Sequence, residues 1–119
     1  MAITKAVIPI AGFGTRFLPL SKVVAKELWP LVDKPLIQYT IEELKAAGVT
    51  ELIFIVNSPK RPLNEYFRRQ VKLEKFLQEK KKDDLLQEVH AAEKVAEGVN
   101  FTYVTQRVQR GDGHAVLQA

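Results

Sequence analysis

Apolar runs of strand length alternate along this chain with stretches of helical period. Lys5–Ile10 (KAVIPI) is short, apolar and rich in β-branched residues, and it ends in Ala11–Gly12–Phe13–Gly14. A run of that length bounded by glycine predicts a buried strand. Pro9 weighs against a central strand, because proline donates no ladder hydrogen bond. Phe17–Val32 holds Pro19 and Pro30 and reads as irregular. Asp33–Lys34–Pro35 then opens a helix, with proline in the first turn where its missing N–H costs nothing. Ile37, Ile41 and Leu44 form one stripe, and Gly48 stops the helix in a left-handed turn. Glu51–Val56 (ELIFIV) predicts a second strand, closed by Asn57–Ser58–Pro59. Pro62–Arg69 predicts a short helix. Val71–Ala96 predicts one long helix or two, with apolar groups at Leu73, Phe76, Leu77 and at Leu85, Leu86, Val89, Ala92. Val99–Thr105 alternates Val99, Phe101 and Tyr103 on one face and predicts a third strand. Arg107–Gly113 is a polar loop, and His114–Ala119 starts another helix.

Strands alternating with helices imply parallel pairing through right-handed crossovers, with helices on both faces of the sheet. The expected class is α/β, a Rossmann-like three-layer fold. A three-stranded sheet followed by only the first turns of a helix leaves one flank bare. That predicts that residues 1–119 are the front part of a single larger domain.

Composition narrows the class. The chain has 119 residues, 46% hydrophobic and 27% charged, as expected for one folded domain. It has no cysteine, which excludes disulfides and thiolate metal sites. Its longest apolar runs fall far short of the ~20 residues a membrane helix needs, and Met1–Lys5 lacks the apolar stretch of a secretion signal. A cytoplasmic location is the expectation. The net charge of +4 raises nucleic acid as a ligand. However, Glu79–Asp84 changes sign within itself, as a solvated helix face does, and nucleic-acid binding would rest on net charge alone. A polyphosphate needs only a few well-placed cations.

The chemistry concentrates after the first strand. Ligands of open α/β sheets bind beyond the carboxyl ends of the strands. Gly12 and Gly14 would let the backbone approach a phosphate or a base there, and main-chain N–H groups could hold an anion. The position that would carry the third glycine of a dinucleotide fingerprint is Phe17, and the Gly-Lys-Ser/Thr of a P-loop is missing. Gly-x-Gly alone also fits an ordinary tight turn. Arg16, just past the turn, could meet phosphate oxygens in a bidentate way, although a lone arginine more often sits idle at a surface.

Ala11–Pro19 (AGFGTRFLP), Lys26–Glu27, Pro30 and Asp33–Tyr39 (DKPLIQY) resemble the N-terminal signature of bacterial UTP–glucose-1-phosphate uridylyltransferases, within the sugar-1-phosphate nucleotidyltransferase family. Gln106 and Gly111–Val116 (GDGHAV) resemble their second nucleotide-binding stretch. The resemblance implies the nucleotide-diphospho-sugar transferase fold and transfer of UMP from UTP to glucose 1-phosphate, giving UDP-glucose and pyrophosphate with Mg²⁺. It implies that Ala11 and Gly12 contact uracil through the main chain, with Gly14 and Thr15 completing the turn. Gln106 would read the base edge, helped by Gly113. Arg16 and Lys26 would hold the triphosphate and stabilise charge on the leaving pyrophosphate. Two departures stand out: Ala25 replaces a proline usual before Lys26, and the family's metal-binding aspartate and sugar-binding half fall beyond Ala119.

The ordinary alternatives are structural. Lys26 could be a solvated lysine, Gln106 a strand cap, His114 a helix-start residue and His90 a structural helix residue; Trp29 and Tyr39 suit core or interface better than a stacking platform. In-line attack on the α-phosphorus depends on positioning and charge stabilisation, so no Ser or Cys nucleophile is required. Two further functions fit the same residues: thymidylyl transfer, and a non-catalytic nucleotide-binding or interaction module. A homo-oligomer is compatible with all of them.

Overall fold

The computed structural model describes residues 2–57, 61–108 and 110–119, with Arg61 and Pro62 described by backbone alone. Ser58 and Pro59, expected to end the second strand, lie outside the described residues. Residues 1–60 together with 98–119 form one compact unit, and Arg61–Glu97 form a second.

The first unit is built on three parallel strands, β1 (Lys5–Pro9), β4 (Glu51–Val56) and β5 (Asn100–Thr105), in the order β1-β4-β5. A separate two-residue hairpin pairs β2 (Pro30–Leu31) with β3 (Lys34–Pro35). In the main sheet, register runs from Lys5↔Glu51 to Pro9↔Ile55 and from Glu51↔Asn100 to Val56↔Thr105. Side chains in register share a face. Val7, Ile53, Ile55 and Val104 therefore line one face, and they pack with Ala11 and Ala115 in one buried cluster. Leu52, Phe54 and Val56 line the other face and are at most 1% exposed. Phe54 lies edge-on to Phe101 and stacks on Tyr103, with centroids 5.3 and 5.4 Å apart. Both faces of β4 are largely covered, as a parallel sheet favours, with Ile53 partly buried on the first. Burying each of these large side chains contributes about 1.5–3 kcal/mol.

Pro9 finds its place through strand polarity. Ile10 donates its N–H to the Ile55 carbonyl at 2.8 Å, so the preceding residue faces away from β4. On that side the sheet order puts no strand among the described residues. The missing proline N–H breaks no ladder bond there.

The irregular stretch is more ordered than its prolines suggest. Single 3₁₀ turns occupy Thr15–Phe17, Leu20–Lys22 and Lys26–Leu28. The β2–β3 turn is Val32–Asp33, with Val32 at φ 67° and 93% exposed. Pro35 is not inside the following helix, as its sequence position suggested. It is extended and capped by nothing, and α1 (Leu36–Ala46) starts one residue later. The competing interaction is the hairpin itself, which holds Pro35 opposite Pro30. Lys34 ties the hairpin to α1 through Glu42 at 3.2 Å, and the Tyr39 hydroxyl donates to the Leu31 carbonyl at 2.8 Å. Tyr39 is thus a structural residue. Ile37 and Ile41 are buried as predicted, whereas Leu44 is half-buried.

The second unit is helical: α2 (Arg61–Phe67), α3 (Val71–Glu79) and α4 (Asp83–Val95). Of the two readings of residues 71–96, two helices is the observed one, with Lys81 at φ 53° in the break. The predicted apolar group on α3 is only partly right. Leu77 is buried, but Leu73 and Phe76 are 42% and 53% exposed. The buried face instead includes Glu74, whose carboxylate accepts three hydrogen bonds from Arg69 at 2.9–3.1 Å. The last helix, α5 (Asp112–Leu117), begins two residues earlier than predicted, with Gly111 before it at φ 87°.

Candidate active site

Three chain segments of the first unit meet at the carboxyl end of its sheet. The first is the turn after β1. Ala11 is 2% exposed and packs with Ile55 and Ala115, which fixes where Gly12 leaves the sheet. Gly14 lies in the left-handed region at φ 62°, ψ 43°, where a side chain would be strained. The Ser21 hydroxyl donates to the Gly14 carbonyl at 2.8 Å and closes the loop. Thr15 and Arg16 follow in an exposed 3₁₀ turn capped by Gly14.

The second segment carries Lys26. A Cβ built on Gly14 would lie 3.1 Å from Ser21 Cβ and 3.8 Å from Lys26 Cδ. The lysine stem therefore runs against the glycine turn, and its amine is exposed. Lys26 also lines a cavity of about 300 Å³ with Phe17, Trp29, Pro30, Leu31 and Leu36. Phe17 and Trp29 meet there edge-on at 4.8 Å, so Trp29 is wall rather than stacking platform. Neither Arg16 nor Lys26 enters an ion pair among the described residues. Two cations left unneutralised beside a bare-backbone turn suit a polyphosphate.

The third segment follows β5. Gln106 donates its N–H to the Val56 carbonyl at 2.7 Å and is 2% exposed. Its side-chain amide donates to His114 Nδ1 at 2.8 Å and to the Gly111 carbonyl at 3.5 Å. Gly113 is exposed, and a Cβ there would meet nothing within 4 Å, so the fold itself does not demand glycine. The same holds for Gly12.

These contacts bring Gly14 against Lys26, and join the end of β1 to α5 through Ala11 and Ala115. Sequence reasoning missed Ser21 and the link from His114 to Gln106. Ser21 carries no local motif. His114 reads from sequence as a helix-start residue.

Metal ligands gather elsewhere. Among the described residues, the one group of three that could hold an ion is Glu74, His90 and Glu93, in the helical unit. There Arg69 already neutralises Glu74, and His90 Nε2 lies 3.7 Å from the same carboxylate. His90 is thus a structural residue with a partner. Among the described residues, no such group of three lies at the glycine turn.

A parallel α/β sheet with a Gly-x-Gly turn at its carboxyl edge places the chain in the α/β class. The family model for nucleotidyl transferases matches residues 5–119, and the chain belongs to that family. It is 47% identical over 119 residues to UTP–glucose-1-phosphate uridylyltransferase 1 of Staphylococcus saprophyticus, covering 100% of this chain and 40% of that protein. The uridylyltransferase of Staphylococcus haemolyticus is 46% identical over 117 residues, again across 40% of its length. Among solved structures, UTP-bound UGPase from Acinetobacter baumannii superposes with a TM-score of 0.85 at 45% identity, over 97% of this chain and 40% of that one. The chain thus spans about two fifths of the relatives it matches. No helix among the described residues is long and apolar enough to cross a membrane.

Proposed function

We propose that this chain supplies the nucleotide-binding part of an enzyme that transfers UMP from UTP to glucose 1-phosphate, giving UDP-glucose and pyrophosphate. The observation that carries this is the Lys26 stem laid against Gly14, which places an unpaired ammonium beside the turn that Arg16 follows. The names of the relatives, one of them solved with UTP, support the choice of nucleotide.

In this reading Ala11 and Gly12 present main chain to the base, and Gly14 and Thr15 shape the turn around the phosphates. Gln106 and Gly113 meet the base from the β5 side. Arg16 and Lys26 neutralise the triphosphate. As the sugar phosphate oxygen bonds to the α-phosphorus, the bond to the bridging oxygen breaks, and the electron pair leaves with pyrophosphate. The two cations stabilise that leaving charge. Mg²⁺ would add neutralisation of the same charge, but no residue here is assigned to it. Both substrates are anionic metabolites that suit a cytoplasmic enzyme.

The test is Arg16→Ala and Lys26→Ala in a chain of the relatives' length. Each should lower turnover roughly 10²–10³-fold, the scale for losing one charge-stabilising donor. Unchanged turnover in both would remove them from the mechanism. Competition of dTTP with UTP in the same assay separates uridylyl from thymidylyl transfer.

A further inference from the structure

We infer that the cavity beside Lys26 is an inhibitory site for a small aromatic carboxylate, whose charge draws the Lys26 ammonium away from the phosphates. The inhibitory role rests on the triphosphate-binding role proposed for Lys26.

The cavity measures about 300 Å³ and is lined by Phe17, Lys26, Trp29, Pro30, Leu31 and Leu36. That volume is at the lower end for sites that take small molecules, which are mostly apolar with a few polar groups to orient the ligand. Besides the Lys26 ammonium, the lining side chains offer one hydrogen-bonding group, the Trp29 indole N–H. It already donates to the Val24 carbonyl at 3.3 Å. A sugar would lose water from its hydroxyls here with no side chain to replace it, so glucose 1-phosphate does not suit the space. A hydrophobic body does. Phe17, Leu31 and Leu36 are 45%, 54% and 48% exposed, which leaves apolar surface to be covered. Phe17 and Trp29 stand edge-on at 4.8 Å and present the ring faces and edges on which an aromatic ligand packs best.

The sign of the ligand's charge follows from Lys26. It is the one charged residue in the lining, and it enters no ion pair among the described residues. An ammonium beside apolar walls attracts an anion more strongly than one surrounded by water. The same side chain also serves the glycine turn, since a Cβ built on Gly14 would lie 3.8 Å from Lys26 Cδ. One ammonium cannot fully neutralise a carboxylate in the cavity and a triphosphate at the turn. The two ligands therefore compete for Lys26 although their bodies occupy different places.

Trp29 is the chain's one tryptophan, so its indole N–H gives a single nitrogen-15 NMR signal from the cavity wall. Added 2-naphthoate should move that signal. The neutral 2-naphthamide should bind about tenfold more weakly, the scale of a hydrogen bond to a charged group. Lys26→Met keeps an apolar stem without the charge and should erase the difference. Calorimetry in saturating naphthoate should show UTP binding weakened about tenfold, for the same lost contact. Leu31→Asn puts a polar group on the exposed wall and should weaken naphthoate about tenfold while leaving UTP binding as it was. An unmoved Trp29 signal, equal binding of acid and amide to the unaltered chain, or a UTP affinity indifferent to naphthoate would each sink this inference alone. Failure of the unaltered chain to bind UTP would instead overturn the function proposed above, and the inhibitory role with it.

Discussion

Replacing Gly14 and Gly12 separately by alanine distinguishes a glycine the fold needs from one the ligand needs. Gly14 sits at φ 62°, ψ 43°. A side chain in the left-handed region costs about 1–2 kcal/mol. The new methyl would also lie 3.1 Å from Ser21 Cβ, tighter than a relaxed contact, and would press on the loop that the Ser21–Gly14 hydrogen bond closes at 2.8 Å. That bond is worth about 1 kcal/mol if lost. Gly14→Ala should therefore destabilise the chain by about 1–3 kcal/mol, lowering Tm by roughly 4–12 °C. It should also weaken UTP binding, because Lys26 is displaced from the turn.

Gly12 differs on every count. Its φ is not in the left-handed region, and a Cβ there would meet nothing within 4 Å. Gly12→Ala should leave stability unchanged or raise it by up to about 1 kcal/mol, through a less flexible unfolded chain. It should still weaken UTP binding, because the methyl occupies the space into which the base would come. Thermal denaturation and calorimetry on the two variants read both effects. A Gly14→Ala chain as stable as the original, or a Gly12→Ala chain equally destabilised, would refute the reasoning.

Three shorter expectations go with this one. Val32 holds a left-handed φ of 67° at 93% exposure, so Val32→Gly should relieve strain and raise stability by about 1 kcal/mol in denaturant titration. The hydrogen bonds from Arg69 hold the Glu74 carboxyl below its ordinary range. A depressed folded pKa gives stability that is present above the unfolded value, near pH 4.5, and is lost as pH falls through the folded one. Arg69→Ala should therefore move acid unfolding, followed by circular dichroism, to higher pH; Glu74→Gln should flatten the pH dependence in that window. Finally, ATP and GTP should fail to displace UTP in competition calorimetry, for a geometric reason developed below.

How much was legible in the sequence follows from how local each signal is. The three parallel strands were readable because Lys5–Ile10, Glu51–Val56 and Val99–Thr105 are apolar over strand length and bounded by turn residues. The β2–β3 hairpin was not, since a two-residue ladder has no period and Val32 is the wrong residue for a left-handed turn. Leu73 and Phe76 misled because helical spacing marks a stripe without saying which flank of it is covered. Here a buried Glu74 paired with Arg69 takes the place an apolar residue would hold. At the site, the glycines and Gln106 stood out through the family signature. Ser21 and His114 act on those residues from seven and eight positions away, and no spacing rule connects them.

The expected exclusion of purines follows from the sheet's own dimensions. The turn of Ala11 and Gly12 leaves β1, and Gln106 leaves β5, with β4 alone between them. Adjacent strands are about 4.8 Å apart, so the two ends face each other across about 9.6 Å. A base read from both sides spends about 2.9 Å on each of two hydrogen bonds. The Gln106 side chain takes up part of what remains, so the space suits a single ring better than a fused pair. The fused rings of a purine need the gap to widen, and β4 cannot yield, because Phe54 and Ile55 are fully buried on its opposite faces. Displacement of UTP by ATP at comparable concentration would mean that the base does not bridge the two strand ends, and that Gln106 owes its buried place to holding α5 against the sheet.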